Sequence, residues 1–373
     1  MRQSQTAKIR KKRKILTLLI TLVSIILLII CLYFVAIYSN IPFIKYWRTI
    51  WIETAMTTGQ HHWLATSFIP GDIIDDVMAQ TLSIHGASGG FQYLETKPEQ
   101  NIDEPFTPPQ IIIPPRPEDI LDQKNLKVGD KDYAGYKILV NDIEQGIVVS
   151  EITGNGYKGK IMLIDDPARV FIGNTFYPEK QGTRIKDMME EYGAVAGINA
   201  SGFNDLRGGG TGGEVVGFSI SNGESWGYYV DYYGSVVLTN THKLVVGYID
   251  ETDWKNYNIR DGIQFSPVLI ADGEKYADGS NGFGIQPRTA IGQREDGVIV
   301  FLVIDGRDAL HSLGCTVGEL ANILLKYDVI NAACCDGGAS SVLAYKGKVI
   351  TQNSSANPEY GRRIPNAFLV KTK

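Results

Sequence analysis

The chain has 373 residues, 36 of them basic and 41 acidic, for a net charge of −5. Seven basic residues and no acidic ones lie among the first fourteen, so the remainder carries 29 basic against 41 acidic groups, a net of −12. An acidic bulk of this kind lacks the basic footprint that nucleic acid requires, and any anionic ligand must be met by locally placed arginines.

In chain order, Arg2, Lys8, Arg10, Lys11, Lys12, Arg13 and Lys14 abut an uncharged stretch from Ile15 to Ile37. About 20 helical residues cross the hydrocarbon core, so this stretch suffices for one transmembrane helix. It is longer than a signal-peptide core and is followed by no small-x-small cleavage site, which favours an uncleaved anchor. The basic flank predicts a cytoplasmic N-terminus, with everything beyond Tyr38 outside the cell membrane. Ile44, Trp47, Trp51 and Ala55 then recur at helical spacing, and aromatic residues just beyond a span sit well at the lipid interface. Seven of the fifteen prolines fall between Pro98 and Pro117. That density resists helix and central strand and reads as an extended spacer. The expected organisation is a basic tail (1–14), an anchor (15–37), a juxtamembrane region (38–97), a spacer (98–125) and one large domain (126–373).

Within that domain Tyr136–Val140, Gly146–Ile152, Ile161–Ile164, Val215–Ile220, Ser235–Leu238 and Leu244–Tyr248 have the composition of strands. Helices are expected over Gly182–Tyr192 and Thr316–Tyr327. Thr316-Val317-Gly318-Glu319 spells a capping box, and Leu320, Ile323, Leu324 and Tyr327 form one apolar face. The predicted fold class is α+β (mixed α/β), a strand-rich core with few helices. Two apolar runs, Val298–Ile304 and Val329–Cys335, read as strands buried on both faces. Each enters an Asp-Gly turn, Asp305-Gly306-Arg307 and Asp336-Gly337-Gly338-Ala339-Ser340-Ser341. Two carboxylates delivered to one rim, with arginine and hydroxyls beside them, point to a catalytic centre.

Beyond Cys31 in the apolar stretch, Cys315, Cys334 and Cys335 do not make a disulfide framework. The neighbouring pair reads as small buried hydrophobes, and a bridge from Cys315 to either is the alternative. Only His242 and His311 of the five histidines fall in the domain, without zinc-like spacing. No resident metal or cofactor is expected, with a calcium site of carboxylates and carbonyls left open. Glu319 is explained by its capping position.

Four segments occur in a telling order: Gly197-Ile198-Asn199-Ala200-Ser201-Gly202-Phe203, Gln286-Pro287-Arg288-Thr289-Ala290-Ile291-Gly292, Val303–Arg307, and Cys335–Ser341 through Arg363-Ile364-Pro365-Asn366-Ala367. Together they resemble the phosphodiester glycosidase family, over roughly Tyr136 to Val370. The resemblance implies hydrolysis of a sugar-1-phosphate diester of the N-acetylglucosamine type. The family pattern falls on Asn199, Gly202, Phe203, Arg288, Asp305, Arg307, Asp336, Gly337, Gly338, Ser340 and Asn366. Ala200-Ser201 and Ala339 replace glycines usual in that pattern. Glycosidic cleavage generally uses two carboxyl groups, here Asp305 and Asp336. Arg288 and Arg307 suit bidentate phosphate binding. Gly337 and Gly338 would let backbone N–H groups approach phosphate, with Asn199, Gly202, Phe203, Ser340 and Asn366 completing the pocket. The expected partner is a phosphodiester-linked surface glycan or exopolysaccharide. Two other readings remain open, a non-catalytic glycan-binding or assembly protein and a divalent-metal phosphodiesterase.

Overall fold

The computed structural model describes residues 2–58, 61–86, 119–205, 209–231, 233–249 and 257–373. Most of the proline-rich spacer expected at 98–125 lies outside the described residues. The N-terminal part is helical: α1 (Arg2–Tyr38), α2 (Pro42–Met56), α3 (Trp63–Thr66) and α4 (Gly71–Gly86). Within α1, Arg13–Tyr38 is long and apolar enough to cross a membrane, and its most apolar window is 0% buried. Proline near the start of α2 suits a helix, because the N–H it lacks has no partner there in any case. Ile37, Ile52, Ala55, Ala65, Ile69 and Ile74 form a small core among these helices. Helices α3 and α4 arise in a stretch where no pattern predicts an element.

The rest is strand-rich. In chain order the strands are β1 (Lys137–Asp142), β2 (Ile147–Gly154), β3 (Tyr157–Ile164), β4 (Val170–Asn174), β5 (Ala194–Asn199) and β6 (Phe218–Ser221). There follow β7 (Glu224–Gly227), β8 (Ser235–Thr239), β9 (Leu244–Gly247), β10 (Ile259–Gln264), β11 (Val268–Ala271) and β12 (Glu274–Lys275). The last are β13 (Arg288–Arg294), β14 (Ile299–Ile304), β15 (Val329–Cys335), β16 (Leu343–Tyr345), β17 (Lys348–Val349) and β18 (Asn366–Lys371). Two further helices, α5 (Ile185–Glu191) and α6 (Val317–Leu325), fall inside the expected spans. The fold is the mixed α+β, strand-rich class that the sequence predicts.

Eight strands form one sheet in the order β1-β2-β3-β14-β13-β15-β11-β12, antiparallel at every pairing. Two five-stranded sheets, β17-β16-β5-β18-β4 and β7-β6-β10-β8-β9, accompany it. Along β14, Ile299, Phe301 and Val303 point into a core shared with β5, β8 and β18, while Val300, Leu302 and Ile304 meet Leu320, Ile323 and Leu324 of α6. That two-sided cover explains a continuous apolar run in a strand whose neighbours are antiparallel. Such runs are more usual in parallel sheets with helices on both faces.

The capping box forms. Thr316 Oγ1 accepts from the Glu319 N–H at 3.2 Å, and the Glu319 carboxylate accepts from the Thr316 N–H at 2.8 Å. A cap of this kind stabilises by about 1 kcal/mol, and it commits Glu319 to the helix. Cys315, Cys334 and Cys335 are all buried free thiols, so the alternative bridge is absent.

Candidate active site

Strand β13 decides where the two Asp-Gly turns meet. It pairs antiparallel with β14 through Arg288↔Ile304 and with β15 through Thr289↔Cys335. Strands β14 and β15 therefore run in the same direction and leave the sheet at one edge, on either side of Arg288. At about 4.8 Å between neighbouring strands, their exits are about 10 Å apart.

Asp336, at the end of β15, is held from three sides. Its N–H donates to the Ala200 carbonyl at 2.8 Å, and its own carbonyl accepts from Asn199 Nδ2 at 2.6 Å. The Ser340 hydroxyl and the Gly337 N–H lie beside its carboxylate and favour its charged form. Burial nevertheless pushes its pKa up to about 6, against the pull of those donors and of Arg362. Gly338 has φ +60° and donates its N–H to the Pro287 carbonyl at 2.9 Å. A Cβ there would lie 3.0 Å from Arg307 Nη2, and one on Gly337 would lie 2.9 Å from the Pro287 carbonyl oxygen. Both glycines thus serve the site by the room they leave. The Gly338 N–H is already used by the Pro287 carbonyl, which alters the expectation that it reaches toward phosphate.

Arg307 leaves its strand through a left-handed backbone at φ +60° and donates to Gln286 Oε1 at 3.2 Å. Gln286 is neutral, so no direct ion pair balances this guanidinium among the described residues. Burial and the nearby Arg362 both work against its charge, and Asp336 works for it. Arg362 stacks on the Phe203 ring at 4.6 Å and donates to Asp205 at 2.8 Å. Two guanidinium groups that repel one another thus lie near the Asp336 carboxyl group; Arg362 is paired with Asp205, and Arg307 has only the neutral Gln286 as a direct partner, an arrangement suited to an anion.

Asp305 stands apart from that cluster in its contacts. Only 3% exposed, it accepts from the Gln352 N–H at 3.0 Å on one oxygen and faces His311 Nε2 at 2.9 Å with the other. Burial raises its pKa, opposed chiefly by His311.

Residues 192–371 match the family model described as NAGPA, phosphodiester glycosidase. This part of the chain is similar to the phosphodiester glycosidases. A prophage-derived protein of Bacillus subtilis (strain 168), YomE, is 31% identical over 211 residues, covering 51% of this chain and 29% of that one. The N-acetylglucosamine-1-phosphodiester alpha-N-acetylglucosaminidase of Bos taurus is 37% identical over 70 residues, 19% of this chain and 13% of that one. The chain thus spans less than a third of either relative. The catalytic domain of the zebrafish enzyme of the same name, solved auto-inhibited by its pro-peptide, superposes with TM-score 0.50 at 19% identity. It covers 61% of this chain and 82% of that one, and shares the fold.

Several residues expected to touch substrate are instead engaged inside the fold. Arg288 donates to the carbonyls of Cys315 at 3.3 Å and of Phe283 and Gly284 at 2.9 Å each. Its guanidinium is committed to backbone, not free for phosphate. Asn199, wholly buried, accepts from Thr289 Oγ1 and from the Val342 N–H while donating to Asp336. Asn366, equally buried, accepts from the Ser201 N–H and donates to Ser201 and Ser219 Oγ. A Cβ at Gly202 would lie 3.1 Å from the Phe265 ring. Phe203 lies under the Arg362 guanidinium, and Ser340 lies beside the Asp336 carboxylate.

Beside Asp336, Arg307 and Asp305 lie further residues that the motifs did not single out: Arg362, Asp205, Gln286 and His311. Arg362 adjoins the quoted Arg363 motif, whose own arginine turns away to the Gly182 carbonyl at 3.1 Å. Among the described residues, no group of three or more His, Cys, Asp or Glu side chains is placed to hold a metal ion.

Proposed function

We propose that the chain is a membrane-anchored hydrolase facing away from the cytoplasm. It cleaves a sugar-1-phosphate diester of the N-acetylglucosamine-1-phosphate type in a surface glycan or exopolysaccharide. One observation carries the reading: Asp336, with its pKa near 6, shares a site with Arg307, whose charge no neighbouring carboxylate balances directly. A phosphodiester brings the missing negative charge. The family match over 192–371 and the name of the bovine relative support the same bond type.

In this reading Arg307 and Arg362 hold the phosphodiester, with Arg362 kept flat by Phe203. The bond between the anomeric carbon and the bridging oxygen breaks, and the phosphate leaves with that oxygen. Positive charge develops on the sugar ring and negative charge on the phosphate. A phosphate is a good leaving group, so charge stabilisation by the arginines matters more than proton donation to it. Asp336, ionised above about pH 6, is the carboxylate that meets the anomeric carbon or the water that attacks it. Asp305 acts through His311, orienting the ring. The apolar helix Arg13–Tyr38 is the anchor, and the basic flank before it stays in the cytoplasm.

The test is to incubate the full chain in detergent with UDP-N-acetylglucosamine, with and without chelator. Free N-acetylglucosamine plus UDP, indifferent to chelator, is the expected result. UMP plus sugar-1-phosphate, lost with chelator, would replace the reading by a metal phosphodiesterase. Saturable binding of surface polymer with no product released would make the protein a binder.

A further inference from the structure

The last turn of α2 and the rim of the site share one hydrogen-bonded segment, residues 283–286. Thr54 Oγ1 accepts from the Ile285 N–H at 3.0 Å, and the Thr57 hydroxyl lies 3.4 Å from the Phe283 carbonyl. Gln286 Nε2 donates to the Thr54 carbonyl at 3.0 Å and to Thr57 Oγ1 at 3.3 Å. Its other side-chain atom, Oε1, is the acceptor for Arg307 Nη2. The approach is close. Gly284 has φ +60°, and a Cβ on it would fall 2.5 Å from the Thr54 nitrogen. From the domain side, Arg288 grips the Phe283 and Gly284 carbonyls of the same segment.

Helix α2 is in turn tied to the end of the apolar helix. Arg48 Nη1 donates to the carbonyls of Ile37 at 2.5 Å and Ser39 at 3.1 Å, satisfying acceptors that the end of a helix leaves free. Fixed hydrogen bonds therefore run from the end of α1 through Arg48, α2 and Gln286 to the Arg307 guanidinium. An amide aimed by two partners leaves its third partner little rotational freedom, and such support keeps a binding group in productive geometry.

We propose that α2 is a positioning element of the active site, which through Thr54 and Thr57 fixes Gln286 and so sets the direction of Arg307. The consequence for phosphate binding rests on the glycosidase reading; the positioning itself does not.

The experiment uses the full chain in detergent and the double substitution Thr54→Val with Thr57→Val, which removes both hydroxyls and keeps the side-chain shape. Two readouts are taken. Modification of Arg307 by phenylglyoxal, followed by mass spectrometry, needs no substrate; its rate should rise several-fold in the variant. Affinity for inorganic phosphate, by calorimetry, should fall roughly five- to ten-fold, and that effect should vanish when Arg307 is already lysine, because contacting groups are not additive. An unchanged modification rate in a folded variant would overturn the proposal. So would an equal loss of phosphate affinity in the Arg307→Lys background, which would mean general loosening. If Arg307 is freed but even the unsubstituted protein binds no phosphate, the positioning holds and the glycosidase reading fails.

Discussion

Arg307 can reach the site because residue 338 has no side chain: its Nη2 atom lies 3.0 Å from where a Cβ on Gly338 would stand. Gly338 is also in the left-handed backbone region, at φ +60°. Gly338→Ala therefore carries two penalties, a backbone cost of about 1 kcal/mol and a displaced guanidinium. We expect a folded protein with a modestly lower melting temperature and at least a ten-fold drop in kcat/KM. Activity within two-fold of the parent would show that Arg307 does not depend on this gap.

The two arginines of the sequence motifs should separate cleanly. Arg307→Lys keeps the charge and loses the planar fork, so activity should fall by an order of magnitude or more while stability changes little. Arg288→Lys leaves buried carbonyls short of donors, at about 1–3 kcal/mol for each one lost. Its melting temperature should drop by several degrees, with activity lost in parallel. Urea unfolding beside steady-state kinetics checks both, and similar stability losses in the two variants would contradict the assignment.

Asp336 predicts a pH-dependent stability of definite sign. Its folded pKa of about 6 exceeds the unfolded value of about 4, so between those values the folded state binds more protons. Stability is therefore lost as pH rises from about 4 to 6 and stays lower above. Asp336→Asn lacks that penalty. Its melting temperature should match the parent below pH 4 and exceed it above pH 6, while turnover is abolished. A constant offset across pH would argue that the carboxyl group titrates normally.

Asp305 and His311 form a pair whose disruption leaves a buried oxygen. His311→Phe removes the partner of Asp305 Oδ2 and, with it, the chief influence opposing the burial-raised pKa. The expected cost is about 1–3 kcal/mol near neutral pH, shrinking as Asp305 becomes protonated at lower pH. Thermal melts at pH 4 and 7 measure it. A larger loss at pH 4 than at pH 7 would exclude this account of the pair.

Much of the site's chemistry was legible because it is local. Asp305 and Asp336 each follow a strand that an uninterrupted apolar run announces, and the Thr316–Glu319 cap lies within four residues. Their shared rim was legible only as an expectation, since β13, the strand that sets the register between them, has no apolar run of its own. Arg288 and Arg307 looked alike in sequence, and so did Arg362 and Arg363. What separates them is whether backbone carbonyls lie within reach. His311 was visible as a histidine but not as the partner of Asp305, because the turn from Asp308 to Ser312 brings them together.

By itself the sequence determined the strand-rich α+β class, the single apolar N-terminal stretch, the two strand-to-aspartate turns and the α6 cap. These follow from periodicity, turn chemistry and hydropathy, which act over a few residues. The tertiary structure alone decided which polar groups are spent on the scaffold and which face the site. It placed Arg288, Asn199 and Asn366 among buried backbone and side-chain partners. It left Arg307 beside Arg362 and Asp336 without a direct ion pair among the described residues, and brought Thr54 against Gln286 across more than two hundred residues of chain. Desolvation, and with it the pKa of Asp336, depends on everything packed around a group, which no local stretch of sequence specifies.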